Sequence, residues 1–341
     1  MDCKRLFALV GLLIFVPLSQ IFAQSSKDLS ATDTLFEMLD EVVLIEEISS
    51  TRGQLKQVEG TAIFAGKKSE VINLQNLVLN KGANTTRQLF SGITGLTIYE
   101  NDDAGLQLSI GGRGLDPNRS SNFNVRQNGY EISADPLGYP ESYYTPTSEG
   151  VQKISVVRGA ASLQYGTQFG GLLNFQMKGP GEENWAVESR NTFGSFGLWT
   201  NFTSLSFNSG KLSGYAYYNR RSSQGFRPHS SFEADHTYST LIYKPTIRTT
   251  IAVEHTYLNY LAQQPGGLTD SQFASDPWQS NRDRNWFKVD WQLYQARLNH
   301  KFSASTTLST TATALVASRQ SLGFRGVPGL LNSNPISAID E

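Results

Sequence analysis

Gly150–Lys178 reads GVQKISVVRGAASLQYGTQFGGLLNFQMK. It opens with a short β-run, Ile154-Ser155-Val156-Val157, and breaks sharply at Arg158-Gly159. A small-residue segment, Ala160-Ala161-Ser162, leads to an aromatic-glycine corner at Tyr165-Gly166, and the pair Gly170-Gly171 releases a second apolar run, Leu172–Phe175. Glycine at such corners supplies positive φ or lets two backbones approach closely. The local physics is strand, turn, strand, and no chemistry follows from it alone.

The chain around this stretch has 341 residues, enough for two domains. Its formal net charge is −1, which argues against a nucleic-acid protein driven by bulk charge. Charged residues make up 17%, below the usual quarter, and the wealth of Gly, Ser, Thr, Asn and Tyr suits an all-β protein with many turns. Cys3 is the single cysteine, so neither a disulfide scaffold nor a thiolate metal site is expected, and none of the four His lies at zinc-binding i, i+4 spacing. Lys4-Arg5, the apolar Leu6–Val16 and Ile21-Phe22-Ala23 have the form of a secretory signal peptide over residues 1–23. No later window is apolar enough for a transmembrane helix, so a membrane-embedded chain must cross as strands.

Upstream of the opening stretch, Arg52–Lys68 has the look of a β-element, and Val71–Leu74 is a further apolar run. Asn84 or Thr85 can cap a short helix that buries Leu89 and Phe90. Gly92–Ile98 is a turn and a β-run, and Leu106–Ile110 ends in Gly111-Gly112-Arg113-Gly114. Leu115-Asp116-Pro117-Asn118 cannot start a helix at once, which removes the phosphate-cradling reading of those glycines. Asn128-Gly129, between Phe123–Arg126 and Tyr130–Ile132, is the strongest short hairpin signal.

Beyond Gly179-Pro180-Gly181 the texture changes to strand-like runs: Trp185–Phe193, Leu198–Phe207, Leu212–Arg220, Tyr238–Tyr243, Thr249–Tyr257, Trp291–Phe302 and Thr307–Ser318. Several suit a tilted transmembrane strand, and Tyr, Trp and Phe near their ends suit an interfacial girdle. In Thr249–Tyr257, Ile251 and Val253 share one face, and Thr250 and Glu254 the other. After Gly194–Gly197, short connections (Asn208-Ser209-Gly210, Lys244–Arg248, Ser303–Thr306) alternate with long polar ones (Arg221–Thr237, Leu258–Asp290), as in outer-membrane barrels.

The order V-V-R-G-x-A-S-x-x-Y-G-x-x-x-G-G-x-x-N over Val156–Asn174 resembles the C-terminal signature of the plug domain of TonB-dependent outer-membrane receptors. Ile93–Ile98 and Ile110–Gly114 are similar to two further passages of that family, which usually has Asp where this chain has Asn128. The resemblance implies an α+β plug domain followed by an incomplete antiparallel transmembrane β-barrel in the bacterial outer membrane. The boundaries expected are a signal peptide at 1–23, an N-terminal tail at 24–54, a plug at 55–181 and barrel strands at 182–341. Seven strands cannot enclose a plug, since plugged transporters have about 22. The expectation is therefore an N-terminal fragment.

Asp40-Glu41-Val42-Val43-Leu44-Ile45, within 40–46, resembles the TonB box, an extended segment offered to TonB. It also reads as the first strand of the plug. The implied partners are the TonB-ExbB-ExbD energising complex, outer-membrane lipid and a ferric chelate, with no nucleic acid and no cofactor beyond iron carried in the chelate. Sixteen residues, 24–39, leave no room for the signalling domain that some relatives place before the box.

Gln263-Gln264-Pro265-Gly266-Gly267-Leu268-Thr269-Asp270, then Arg282-Asp283-Arg284-Asn285-Trp286-Phe287, resembles the ferric-citrate receptor branch. Guanidinium groups bind carboxylates bidentately and stay charged. Arg119, Arg126 and Gln168 on the plug, and Arg227, Arg282 and Arg284 on the barrel side, are the candidate ligand contacts. Another siderophore or nutrient, or a non-transporting surface adhesin, is the alternative. An enzyme is not expected, since neither G-x-S-x-G nor H-E-x-x-H occurs.

Overall fold

The computed structural model describes residues 52–53, 55, 58–59, 62–63, 69–100, 104–133, 143–158 and 170–323. The TonB-box candidate Asp40–Ile45, the signal segment and Gln168 lie outside the described residues, as does the side chain of Arg119.

Ten short strands build the first part: β1 (Arg52–Gly53), β2 (Val58–Glu59), β3 (Ala62–Ile63), β4 (Ser69–Asn73), β5 (Leu96–Tyr99), β6 (Ser109–Gly112), β7 (Phe123–Gln127), β8 (Tyr130–Glu131), β9 (Val151–Arg158) and β10 (Gly171–Met177). Six of them form a sheet in the order β1-β4-β9-β10-β7-β8, while β2-β3 and β5-β6 are separate ribbons. The opening stretch supplies the two central strands. β9 and β10 pair antiparallel, with Val156 opposite Leu173, and β10 then pairs parallel with β7. Central strands buried on both faces need apolar residues nearly throughout. Ile154, Val156, Val157, Leu172, Leu173 and Phe175 are accordingly buried.

The expected helix is α1 (Thr86–Phe90), and Leu89 and Phe90 are buried on it. Its cap differs from expectation, because Thr85 makes no side-chain cap bond. Instead, a Glu100 oxygen accepts from the Arg87 backbone N–H at 3.0 Å, and the Asn84 amide ties Gly105 to Ser148. The turn at 128–129 has φ of 48° at Asn128 and 87° at Gly129, the left-handed pair that a two-residue hairpin turn demands.

The second part is a seven-stranded antiparallel meander: β11 (Trp185–Phe193), β12 (Trp199–Ser209), β13 (Leu212–Ser223), β14 (Phe232–Thr246), β15 (Thr249–Gln263), β16 (Trp286–Lys301) and β17 (Thr307–Leu322). Among the described residues β11 and β17 pair on one side only, so this is an open barrel wall. Strand alternation gives it two faces. Phe202, Tyr217, Tyr238, Leu258, Trp291 and Leu293 point inward and are buried with plug residues in one cluster. Leu205, Leu241, Tyr243, Ile251 and Val253 stay exposed on the other face, forming the apolar band that faces lipid. Among the described residues, no helix is long and apolar enough to cross a membrane.

Five strands, β13 to β17, run farther toward the long loops than hydropathy suggests. That extra length is polar outside. Arg220 pairs with Asp235 and Glu233 at 2.5 Å each, Asn259 bonds Asp290, and Lys288 lies 3.5 Å from Asp290. A polar face beyond the lipid band satisfies strand geometry but reads as loop in a hydropathy scan. Tyr215 and Tyr217, in the middle of β13, are buried in the cluster shared with the plug.

Plug and wall meet closely at Gly150. A Cβ there would lie 2.3 Å from Cε1 of Tyr217, a ring that is itself buried and 3.1 Å from His236 through its hydroxyl. Gly150→Ala is expected to destabilise the chain in detergent micelles by about 1–3 kcal/mol. Combining it with Tyr217→Ala is expected to cost less than the sum of the two. Thermal unfolding of the native chain and the three variants checks both.

Candidate functional site

The wall strands end, on the side of the long connections, in loops 224–231 and 264–285. Below these loops lies a cavity of about 510 Å³, lined by Arg227 and Ser230, by Gln263–Gly267, by Asn285, and by wall residues Phe232, Tyr260 and Ala262. From the plug it receives Glu100 and Gln107. A recess of about 200 Å³ shares these two residues and continues past Asn84 and Thr85. The cavity therefore spans the junction between plug and loops.

Loop backbone is held here by side chains. Arg227 donates to the Gly266 carbonyl at 2.5 Å and to the Gln279 carbonyl at 3.2 Å, crossing from one loop to the other. Ser230 Oγ donates to the Arg227 carbonyl at 2.6 Å, and Ser231 Oγ donates to Gln263 Oε1 at 2.7 Å. Gly266 has φ of 78°, and a Cβ on it would meet Asn281 Oδ1 at 2.1 Å, so glycine is required at that corner. A short helix, α2 (Asp270–Ser275), folds within the loop under a capping box from Thr269 and Gln272, a feature the polar composition of 258–290 conceals.

Of the residues singled out by sequence, Arg227 lines the cavity, with its guanidinium engaged by loop carbonyls. Arg282 is half-buried beside Gly266 and donates to the Asn281 carbonyl at 2.8 Å, while Arg284 is exposed on the same loop. Arg126 sits elsewhere, at the Asn128 turn, donating to Asn124 at 2.6 Å and to the Gly129 carbonyl at 2.7 Å. Three residues went unremarked in the sequence. Glu100 and Gln107 lie on plug segments whose fold alone brings them under the loops. Arg319 of β17 lays its guanidinium over Tyr143 and Phe287, at 5.3 and 5.4 Å from the ring centroids, a cation–π arrangement.

Beneath the cavity, plug and wall are joined by a buried polar seam. Gln127 donates to Thr256 Oγ1 at 2.9 Å and to Tyr130 at 3.0 Å, and accepts from the Tyr144 hydroxyl at 2.7 Å. Tyr144 lies 3.2 Å from His236 Nε2, which is 3.1 Å from the Tyr217 hydroxyl. Arg221 of β13 is fully buried and donates to the carbonyls of Gly82 and Ala83 at 2.9 and 3.1 Å. Glu149 of the plug receives Arg190 of β11 at 3.0 Å.

Burial raises the phenols of Tyr144 and Tyr130 above their ordinary value, with Glu254 adding to the effect on Tyr130. Burial likewise pushes the Glu149 carboxyl up, against the pull of Arg190. It pushes Lys81 down, with Lys178 and Arg190 adding. Among the described residues no cluster of His, Cys, Asp and Glu could hold a metal ion.

Residues 66–172 match the family model described as TonB-dependent Receptor Plug Domain. The fold is that of a TonB-dependent receptor. Among solved structures, the ferric citrate transporter FecA in unliganded form superposes with a TM-score of 0.66 at 23% identity, covering 76% of this chain and 41% of that one. The ferripyoverdine receptor of the outer membrane of Pseudomonas aeruginosa gives 0.63 at 16% identity, covering 76% and 35%. The copper transporter OprC gives 0.56 at 15%, covering 76% and 38%. The chain thus spans less than half the length of each. The plug match and these neighbours make it an outer-membrane protein.

Arg227 is expected to clasp the two loops. Removing it as Arg227→Ala should expose 264–285 to protease at least about tenfold faster, since a single hydrogen bond to a charged group is worth about 1.5–3 kcal/mol. Arg227→Lys should recover little, because an ammonium does not present the planar fork. Cleavage kinetics followed by mass spectrometry decide it.

Proposed function

We propose that the chain is the plug and first wall strands of a TonB-dependent receptor that takes up a ferric chelate, iron(III) dicitrate being the ligand best supported. One observation carries the reading. The run Gln263-Gln264-Pro265-Gly266-Gly267, which resembles the ferric-citrate branch, lines the cavity opposite Glu100 and Gln107 of the plug. A ligand seated there touches both the loops and the plug, as a receptor that couples binding to plug movement requires. Arg227 and Arg282, with Arg284 on the loop above, supply positive charge for a carboxylate-rich chelate.

In this reading residues 1–23 are a signal peptide, 24–54 a tail, 55–181 the plug and 182–341 barrel strands. Asp40–Ile45 is the TonB box that adds as a strand to TonB, which ExbB and ExbD energise. Arg119, Arg126 and Gln168 remain plug-side candidates. Of these, Arg126 is the one whose described bonds hold a turn away from the cavity. A second reading, uptake of a different nutrient through the same architecture, draws on the fold shared with a copper transporter.

Calorimetric titration of the full-length receptor with ferric citrate is expected to give saturable single-site binding, weakened about tenfold or more by Gln264→Ala, since an unpaired polar partner costs about 1–3 kcal/mol. No heat at millimolar chelate would sink the ligand and leave the receptor reading intact. Deleting 40–45 should abolish uptake and leave binding unchanged. Uptake that persists would point away from TonB energisation.

A further inference from the structure

The Asn128-Gly129 turn ends against the wall. Asn128 Nδ2 lies 2.7 Å from Glu254 Oε2 and 3.2 Å from the Tyr238 hydroxyl, while its Oδ1 accepts the Met177 backbone N–H at 2.9 Å. Its own backbone N–H reaches the Phe175 carbonyl at 2.9 Å. One side chain thus knits the end of β10 to its own turn and to two wall strands. Glu254 belongs to β15, its side chain is 1% exposed, and its other oxygen accepts from Arg297 of β16.

Turn geometry alone does not select asparagine, because aspartate also tolerates left-handed φ and serves such turns equally. Nor does the Met177 N–H, which any side-chain oxygen at 128 would satisfy. The neighbour across the interface does distinguish the two. An aspartate would set a second carboxylate oxygen against Glu254 in a site with little water. Two carboxylates so close cannot both ionise without strong repulsion, and an uncompensated buried charge is strongly destabilising. Where the resembled family usually has Asp, this chain has the one close relative of Asp that can donate.

We propose that Asn128 and Glu254 form a donor–acceptor latch that locks this turn of the plug to the barrel wall, with Glu254 dictating an amide at the turn. Any displacement of the turn from the wall must break this bond together with the one to Tyr238. The latch holds whatever ligand the cavity takes.

Hydrogen–deuterium exchange of the whole chain in detergent micelles tests it. Asn128→Asp is expected to speed exchange about tenfold or more in peptides covering 123–132 and 171–178, leaving β12 unchanged. Adding Glu254→Gln reverses the polarity of the pair: the new amide on β15 donates to the new carboxylate at the turn, its carbonyl still accepts from Arg297, and the net charge of the pair is kept. Exchange should return to within about threefold of the native rate. Native-like exchange in Asn128→Asp, or a double variant no better than the single, overturns the latch. If Asn128→Asp does not fold, recovery of folding in the double variant supports the latch, and failure of both overturns it.

Discussion

Buried polar groups must find partners, and in this protein that requirement falls hardest on the surface where plug meets wall. A sheet of mixed pairing is set inside a curved antiparallel sheet, and their touching faces are not purely apolar. Gln127, Tyr130 and Tyr144 of the plug meet Thr256, His236 and Tyr217 of the wall in one hydrogen-bonded seam. A group left unpaired there would cost about 1–3 kcal/mol, whereas apolar contacts tolerate sliding. Directional bonds of this kind fix the plug in one register against the wall, which oily packing alone would not do.

The guanidinium of Arg221 and the carboxylate of Glu254 extend the same logic to charge. Each is buried, and each is held by hydrogen-bonding groups across the interface: loop carbonyls at 82–83 for Arg221, the Asn128 amide for Glu254. Breaking such a contact by removing one partner is costly even when the pair itself adds little net stability. The interface is consequently specific without being dominated by salt bridges. It can separate as a unit only if several of these bonds break together.

Above the seam the loops close over a cavity that neither part forms alone. Arg227 shows how one residue can serve two purposes. Its carbonyl contacts shape the loop that bears Gln263–Gly267, and its position on the cavity wall leaves its charge facing the same space. Arg319 of the edge strand β17 instead stacks its guanidinium on Tyr143 of the plug and Phe287 of the wall, tying the two together. The charge lining the cavity thus comes from Arg227 on a loop and from Glu100 on the plug.

The amino-acid sequence by itself determined the order of elements. Period-two alternation with Gly-Gly, Asn-Gly and short polar turns was enough to locate β9, β10, the 128–129 hairpin and seven wall strands, because those signals depend only on near neighbours. Hydropathy ends strands too early wherever polar residues such as Asp235, Asn259 and Asp290 continue them above the lipid band, since it does not register a polar outer face. Arg227 could be singled out as a guanidinium in a long polar loop, and it lines the cavity. Glu100 and Gln107, which line it from the plug, could not, because nothing within a few residues of them marks a cavity. Only the tertiary structure decided which polar groups share the buried interface, that Tyr215 and Tyr217 turn inward, and that Asn128 faces Glu254 across 126 residues of chain. Partnership across that separation is set by how two sheets dock, and local periodicity carries no record of it.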